Sequence, residues 1–359
     1  MGARSTNPTQ SFFDDFFRSG TDAVTPFVNP IGPWSASGGT TTDPGNGYRY
    51  HAFTSTGPAS FDVASAPASA TIELLMVGGG GAGAAYYYGG GAGGVIFYGS
   101  TPTPVTWGAS LPVSAGSYSL SVGAGGTKSD LNAPWPSPVA TAAKGGDTTF
   151  THPSGPFTAQ GGGIGGNAGP GSYDGNPLTR GGSGGWGEGA YPGSPNPSPN
   201  RQGYPGAPPS SNSGAGGGGG AGAAGGPSPT GSSGWNANGG AGGVGVQFPN
   251  FTGTLIGVPG LSPLNGYYAG GGGAGGRNDN NGGPNPNTGF GGAGGNGGGG
   301  HGVGSRGRTY PGGPTYAAAV TNSGGGGGGA GGGGPVPGSD GPQSADPGGP
   351  GILVIRYQL

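Results

Sequence analysis

Residues 72–83 read IELLMVGGGGAG, so that an apolar stretch leads directly into a run of glycine. Residues 72–77 have the composition of a buried strand, and the glycine that follows marks its end. A short segment leads into glycine in the same way at Gln160-Gly161, Ala269-Gly270 and Ser323-Gly324. We therefore expect glycine-rich runs that leave a common β base and return to it.

Other strands are predicted around this junction. Residues 48–54, 95–98 and 118–122 combine β-branched and aromatic residues between Gly, Pro and Ser, which is typical of short strands. Residues 352–357, ILVIRY, give the strongest strand signal, and because they are apolar on both faces we expect them inside a sheet. A C-terminal strand that pairs with N-terminal strands would close the whole chain on itself.

These segments divide the chain into three parts. Residues 1–47 are predicted to be an N-terminal attachment or covering segment. Residues 48–157 are predicted to form a β-domain closed by 352–357, and residues 158–351 a glycine-rich bundle with exposed loops. Residues 11–17, SFFDDFF, could form an amphipathic turn that either docks on a partner or covers the β-region.

The composition requires a structural role for glycine. Among 359 residues, 101 are Gly and 38 are Pro, while 7% are charged and 30% are hydrophobic. Such a composition is typical of disorder, because glycine loses the most backbone entropy on folding and little apolar surface offsets that loss. Disordered chains usually carry a high net charge, whereas this chain carries a formal charge of −2. We therefore expect a backbone that satisfies its own hydrogen bonds.

The spacing of side chains within the glycine-rich runs gives a second signal. The runs are 78–85, 89–94, 161–169, 181–189, 214–226, 239–245, 270–276, 291–304 and 324–334. Their side chains are often three residues apart, as in Trp235, Asn238, Ala241 and Val244, or Phe290, Ala293 and Asn296. A period of three is neither the 3.6 of an α-helix nor the 2 of a strand. It is the period of the polyproline II helix, which rises about 3.1 Å per residue.

This spacing predicts a polyglycine II bundle. Two positions in three are glycine, as expected for a helix that packs on neighbours with two faces and exposes the third. Residues 216–220 and 324–329 are glycine throughout, which predicts that they lie inside. Elastomeric or cell-wall glycine-rich proteins and loosely ordered linkers are rival interpretations, but they do not need strands at fixed places. The predicted fold class is mostly β plus irregular structure, with little or no α-helix.

Composition and motifs argue against several classes of function. Eleven Lys and Arg against 13 Asp and Glu leave no basic surface for nucleic acid, and no apolar stretch approaches the ~20 residues of a membrane span. The chain has no Cys, so no disulfide or thiolate metal site is expected. His51, His152 and His301 are far apart in sequence and are expected to be polar surface residues. No nucleophile and base can be paired, so we expect no enzyme activity and no cofactor.

Recognition is the remaining class of function. The loops between the runs are rich in Tyr, Trp, Asn, Asp, Arg, Ser and Pro, the mixture used by adaptable binding surfaces and sugar-stacking sites. Turn formation explains the Pro and Asn, but it does not require Tyr and Trp. Runs that leave a base and return must alternate in direction, which predicts a cluster of loops at the far end. The candidate binding residues are Tyr86, Tyr87, Tyr88, Tyr173, Asp174, Arg180, Trp235, Arg277, Asn278 and Asp279.

Several stretches between residues 48 and 359 resemble the glycine-rich proteins of tailed bacteriophages, including polyglycine II adhesins that cap long tail fibres. They are IELLMVGGGGAG, GGAGGVIFY, YSLSVGAGG, KGGDTTF, TAQGGGIGG, YYAGGGGAGG and GGPGILVIRY. The resemblance implies a virion component at a tail or fibre tip. It also implies contacts with other tail or fibre proteins and with a host surface receptor, either a polysaccharide or an outer-membrane protein.

Two other functions and one question of assembly stay open at this stage. An architectural virion protein, such as a fibre segment or a decoration protein, would have the same body without receptor binding. A surface- or ice-binding protein would use a flat polyproline II face. Aromatic side chains gathered at one end favour adhesion, whereas small residues on a plane favour ice binding. A homo-oligomer is compatible with all three.

Overall fold

The computed structural model describes residues 34–84, 87–101, 103, 106–128, 143–166, 183–184, 202–208, 214–229, 236–278, 289–304, 318–333 and 345–359. The fold is mostly β, as the sequence predicts, and two short 3₁₀ helices are the only helices within these ranges. The strands are β1 (Ser35–Ser37), β2 (Thr40–Thr42), β3 (Tyr48–Phe53), β4 (Gly57–Ser65), β5 (Thr71–Val77), β6 (Val95–Tyr98), β7 (Thr106–Gly108), β8 (Leu111–Pro112), β9 (Gly116–Val122), β10 (Thr148–His152), β11 (Gly155–Ala159), β12 (Asn236–Ala237), β13 (Val246–Gln247), β14 (Tyr267–Tyr268), β15 (Arg277–Asn278), β16 (Gly332–Gly333) and β17 (Ile352–Gln358).

Two sheets form a β-sandwich. One has the order β2-β3-β17-β5-β6-β7, with β8 also paired to β5, and the other has the order β1-β4-β9-β10-β11. Alternate residues of the first sheet, such as Leu74, Met76 and Leu353, pack in one apolar cluster with Phe61 and Phe150 of the second. This alternation follows from the two-residue period of a strand. The predicted position of β17 inside a sheet is confirmed, because it pairs with β3 on one side and β5 on the other.

A second layer covers the other face of the larger sheet. Residues 246–268, here called the cap segment, contain the 3₁₀ helices Pro249–Phe251 and Pro259–Leu264. The aromatic and aliphatic side chains of the cap segment pack against the alternate set of sheet residues, which includes Leu75, Phe97 and Val354. The cap segment was not anticipated by the prediction that 158–351 is a glycine-rich bundle with exposed loops.

The N-terminal prediction also needs correction. Residues 35–37 and 40–42, which were assigned to the segment outside the β-domain, form the edge strands β1 and β2 of the two sheets. The ring of Trp34 stacks on Tyr357 with 3.9 Å between the ring centroids. The β-domain therefore includes residues from 34 onward, while residues 11–17 lie outside the described residues.

The glycine-rich runs form a lattice held by backbone hydrogen bonds. The N–H groups of the run 78–84 donate to three neighbouring runs in turn. Gly78, Gly81 and Ala84 donate to the run 88–94. Gly79 and Ala82 donate to 143–146, and Gly80 and Gly83 donate to 346–349. The donors thus return to the same neighbour at every third residue, which is the repeat of a threefold extended helix. These residues are in neither helix nor strand. The dihedral conformation that the name polyglycine II implies stays a prediction.

Inner runs of the lattice bond on all sides. The run 269–276 donates to runs at Gly297, Gly243 and Gly90, and it accepts from runs at Gly218, Gly292 and Gly326. A Cβ added at Gly272 would lie 2.0 Å from the carbonyl oxygen of Gly327, so only glycine fits there. Residues 216–220 and 324–329 are buried, as predicted.

Candidate functional site

The direction of each run follows from its hydrogen-bond register with the run 78–84, which leaves β5. The N–H groups of Gly162 and Gly165 donate to Gly79 and Ala82, so the run 161–165 is parallel to 78–84 and also leads away from the sandwich. Runs that pair in the opposite sense, such as 88–94 and 345–351, return to β6 and β17. The lattice therefore has a base end at the sandwich and the cap segment, and an opposite end, here called the outer end.

Turns that are distant in sequence meet at the outer end. β15 pairs with β12 on one side and with β16 on the other, so three separate connections form one small sheet. The backbone carbonyl of Tyr87 accepts a hydrogen bond from the N–H of Gly275, at 2.5 Å, two residues before β15 begins. Residue 87 and residues 277–278 therefore lie at the same end of the lattice.

The run 214–226 departs from the predicted path. The segment 217–220 bonds to 223–226 in antiparallel register, through Gly217 N–H to Gly226 O and Gly220 N–H to Ala223 O. The run is therefore two short runs with a turn at the base end, although the described residues 227–229 and 236–238 still lie at the outer end. Residues 202–207 form a further run, because the N–H groups of Tyr204 and Ala207 donate to the carbonyl oxygens of Gly220 and Gly217.

The structure separates the roles of the two described tyrosines at the outer end. Tyr88 is 5% exposed and packs with Ala84, Ala215 and Ala274, so its side chain anchors the turn to the lattice and is not an exposed contact. Tyr87 is half-buried against this cluster, and its φ of 72° lies in the left-handed region that non-glycine residues rarely adopt. Tyr87 is therefore the described side chain that can serve recognition.

The remaining candidates are described in part or not at all. The backbones of Arg277 and Asn278 lie in β15, where they pair with Ala237 and Asn236. Tyr86, Tyr173, Asp174, Arg180, Trp235 and Asp279 lie outside the described residues. The sequence signal that located the described candidates was the alternation of the runs, which fixes the end at which each connection lies.

The prediction that the histidines are surface residues is wrong for His51 and His152, which are buried. His51 is fully buried, where its Nδ1 is 2.8 Å from the carbonyl oxygen of Gly38 and its ring faces Phe61 and Tyr357. Burial lowers the pKa of His51, because the charged imidazolium loses its solvation. His152 is 5% exposed, with Nε2 2.8 Å from the carbonyl oxygen of Pro112. His301 is half-buried, and burial lowers its pKa as well.

A pocket of about 250 Å³ lies at the edge of the smaller sheet, lined by β1, β4 and Gly116. Its acidic side chain, Asp62, accepts hydrogen bonds from Ser60 Oγ at 2.7 Å and Ser117 Oγ at 2.5 Å. The hydroxyl of Ser117, followed by that of Ser60, lowers the pKa of Asp62. Each carboxylate oxygen thus accepts a hydrogen bond from the protein itself.

The described ranges contain neither a metal-ion cluster nor a membrane-spanning helix. No three His, Cys, Asp or Glu side chains in these ranges come close enough to hold a metal ion. No helical segment within them has the length and hydropathy that crossing a bilayer requires.

Comparison with protein families matches residues 54–358 to a family described as a glycine-rich domain. The match begins just after β3 and ends with β17, so it covers the lattice, the cap segment and most of the sandwich. The strands β1 to β3 precede it. A search of the curated proteins found no match for the chain.

Proposed function

We propose that this chain, which belongs to the glycine-rich domain family, is a non-enzymatic virion protein of a tailed bacteriophage that binds a host surface receptor through its outer end. It acts at a tail or fibre tip, where its base end joins other tail or fibre proteins. The lattice runs are polyglycine II helices in this proposal, and they serve as a rigid mount. The receptor is a polysaccharide or an outer-membrane protein.

The observation that carries this proposal is the convergence of separate connections at the outer end. β12, β15 and β16 come from three connections, and the turn at Tyr87 is bonded to the run that leads into β15. Binding sites commonly lie on loops that a rigid scaffold holds in place. A lattice whose inner runs bond on all sides is such a scaffold, because a displaced run would leave buried peptide groups unpaired.

The chemistry of the connections supports binding over a purely architectural role. The three connections that form the small sheet contain Trp235, Arg277 and several Asn, and the turn 86–88 is three consecutive tyrosines. Aromatic rings give large contact area at low entropic cost, and amide side chains adapt to hydroxyl-rich ligands. A purely architectural end would need glycine, proline and asparagine for its turns and an inward-packed anchor such as Tyr88, but it would not require the half-exposed Tyr87 or a tryptophan at 235.

Binding of purified protein to a panel of bacterial cells tests the proposal. We expect the double variant Tyr87→Ala/Trp235→Ala to bind cells at least about tenfold more weakly, since losing an aromatic anchor typically removes more than 1.4 kcal/mol. Tyr267→Ala is the matched control, because Tyr267 lies in β14 at the base end. Competition with purified polysaccharide or with outer-membrane protein identifies the receptor class.

Thermal unfolding of each variant separates loss of binding from loss of fold. Equal binding by the wild-type protein and the Tyr87→Ala/Trp235→Ala variant would contradict recognition at the outer end. The absence of binding to any cell would favour the architectural role.

A further inference from the structure

Residues three apart in a lattice run point the same way and form a row, so each run has three rows. Two rows of the run 239–245 face other runs. A Cβ at Gly242 would lie 1.9 Å from a carbonyl oxygen of the run 269–276. A Cβ at Gly243 would lie 2.2 Å from a carbonyl oxygen of the run 214–226. Both rows are therefore restricted to glycine, and only the third row of this run has space for a side chain.

The third row of this run contains Ala241 and Val244, and it lies at the surface of the lattice. Both residues are exposed, Val244 to 40%. Their backbone N–H groups have no acceptor among the described residues, whereas those of Gly242 and Gly243 donate to neighbouring runs. If the lattice continued beyond the run 239–245, the next run would pack over this row.

The same rule holds for the other runs at the surface of the lattice. Every exposed residue of the described runs carries a side chain, and the run glycines whose exposure the structure describes are all buried or partly buried. The exposed residues within or next to the runs include Ala124, Thr127, Asp147, Ala224, Pro227, Ala241, Val244, Asn296 and Pro347. In the described part of the chain, rows of side chains rather than glycines therefore form the surface of the lattice.

A row of unpaired N–H groups is open to pairing with another chain, as the edge strand of a sheet is. Sheets protect their edges with proline and with side chains that keep a further strand away. The surface rows of the lattice carry comparable residues. Pro227 and Pro347 have no N–H to donate, and the Cβ atoms of Ala241 and Val244 occupy space in which a further run would pack.

We propose that these surface rows keep the lattice of one molecule from pairing with the glycine runs of a second copy. This role is separate from receptor binding and does not rest on it. Conformational entropy also favours a side chain at an exposed position, because glycine loses more backbone freedom on folding than any other residue. The two explanations differ in one consequence: only exclusion of a second copy predicts self-association when a surface row is changed to glycine.

One face of the lattice is suited to this test, because three of its runs lie side by side. Gly226 N–H donates to the carbonyl of Ala241, and Gly242 N–H donates to that of Ala293. The small side chains in the surface rows of these three runs are Ala224, Ala241, Val244 and Ala293. Once these are glycine, the same face of a second copy can approach about a two-fold axis. Its runs can then pair in the antiparallel sense in which 217–220 and 223–226 already pair within the lattice.

Sedimentation equilibrium of the full chain over a range of protein concentrations tests the proposal. The variant Ala224→Gly/Ala241→Gly/Val244→Gly/Ala293→Gly removes the four Cβ atoms from the face. We expect its weight-average mass to rise with concentration to at least about twice that of the wild type, since a two-fold dimer is the smallest closed assembly. The matched control replaces the same four residues with serine, which keeps each Cβ. We expect the serine variant to keep the wild-type mass.

Urea unfolding shows which variants are folded, and the smaller variant Ala241→Gly/Val244→Gly opens the run 239–245 alone with less loss of stability. A folded glycine variant that keeps the wild-type mass at every concentration would overturn the proposal and leave entropy as the reason for the side chains. Equal association of the serine and glycine variants would also overturn it, because the Cβ atoms would then exclude nothing. So would failure of both glycine variants to fold while the serine variant folds, because the rows would then act through stability alone.

Discussion

Replacement of Gly326 by alanine tests whether close backbone packing holds the lattice together. A Cβ at this position would lie 2.1 Å from the carbonyl oxygen of Gly90 and 2.9 Å from the amide nitrogen of Gly272, whereas ordinary contacts begin at 3.4 Å. Both atoms belong to the backbone of buried runs, so neither can rotate away as a side chain can. To restore ordinary contact, the backbones at Gly326 and Gly90 must separate by about 1.3 Å.

The cost of this separation follows from the bonds around the site. Gly326 N–H donates to Gly270, Gly300 N–H donates to Gly326, and Gly272 N–H donates to Gly90, each at 2.9 Å. A net hydrogen bond contributes about 1 kcal/mol, and a buried group left unpaired costs about 1–3 kcal/mol. Disruption of three bonds therefore costs roughly 3–9 kcal/mol, a large part of the roughly 5–15 kcal/mol that stabilises a typical domain.

Urea unfolding followed by far-UV circular dichroism measures this effect. Gly260→Ala is the matched control, because a Cβ at Gly260 meets no atom within 4 Å. Both substitutions reduce the entropy of the unfolded chain alike, so their difference isolates the clash. We expect Gly326→Ala to be insoluble or to unfold at a much lower urea concentration, and Gly260→Ala to stay within about 1 kcal/mol of wild type. Equal unfolding midpoints would refute the argument that the lattice excludes a Cβ at Gly326.

Three further predictions concern the sandwich and the cap segment. Deletion of 352–359 should abolish folded protein because β17 lies between β3 and β5, whereas deletion of the exposed Leu359 alone should leave the melting temperature unchanged. Burial lowers the pKa of His51, so as pH falls below about 6.5 the unfolded chain binds a proton that the native state does not bind. The free energy of unfolding should therefore fall by up to about 1.4 kcal/mol per pH unit. The His51→Gln variant should show a shallower slope of this free energy against pH. Phe251→Ala should lower the free energy of unfolding in denaturant by about 3–5 kcal/mol, since Phe251 is 1% exposed and packs on Phe97. The control Val244→Ala should leave this free energy almost unchanged, because Val244 is exposed. Equal losses in the two variants would contradict the packing of the cap segment.

Much of the sandwich could be predicted from the sequence because its strands carry an apolar alternation. The predicted strands at 48–54, 72–77, 95–98 and 118–122 correspond to β3, β5, β6 and β9 within a few residues. The sandwich strands β1, β2, β4, β7, β8, β10 and β11 were missed, because segments that are short or rich in Thr, Ser, Gly and Pro, such as 40–42 and 148–152, carry little apolar signal. They become strands because a paired neighbour supplies their hydrogen bonds.

The candidate site could be predicted only in outline. Alternation of the runs placed Tyr87 and Arg277 at one end, but it could not tell that Tyr88 packs inward against Ala274 while Tyr87 stays half-exposed. The burial of His51 and the cap segment were missed for the same reason. Which side chain covers which surface depends on neighbours that are distant in the chain.

The sequence by itself determined the strands that carry apolar side chains and the period of three in the glycine runs. Only the tertiary structure decided which run bonds to which, and hence that the run 269–276 lies inside while 239–245 carries the exposed Val244. The physical reason is that backbone N–H and C=O groups hold the lattice together. These groups are alike from one glycine to the next, so they do not specify which run pairs with which. Partners are fixed by the strands at the base, whose paired side chains set a register that the glycine runs inherit.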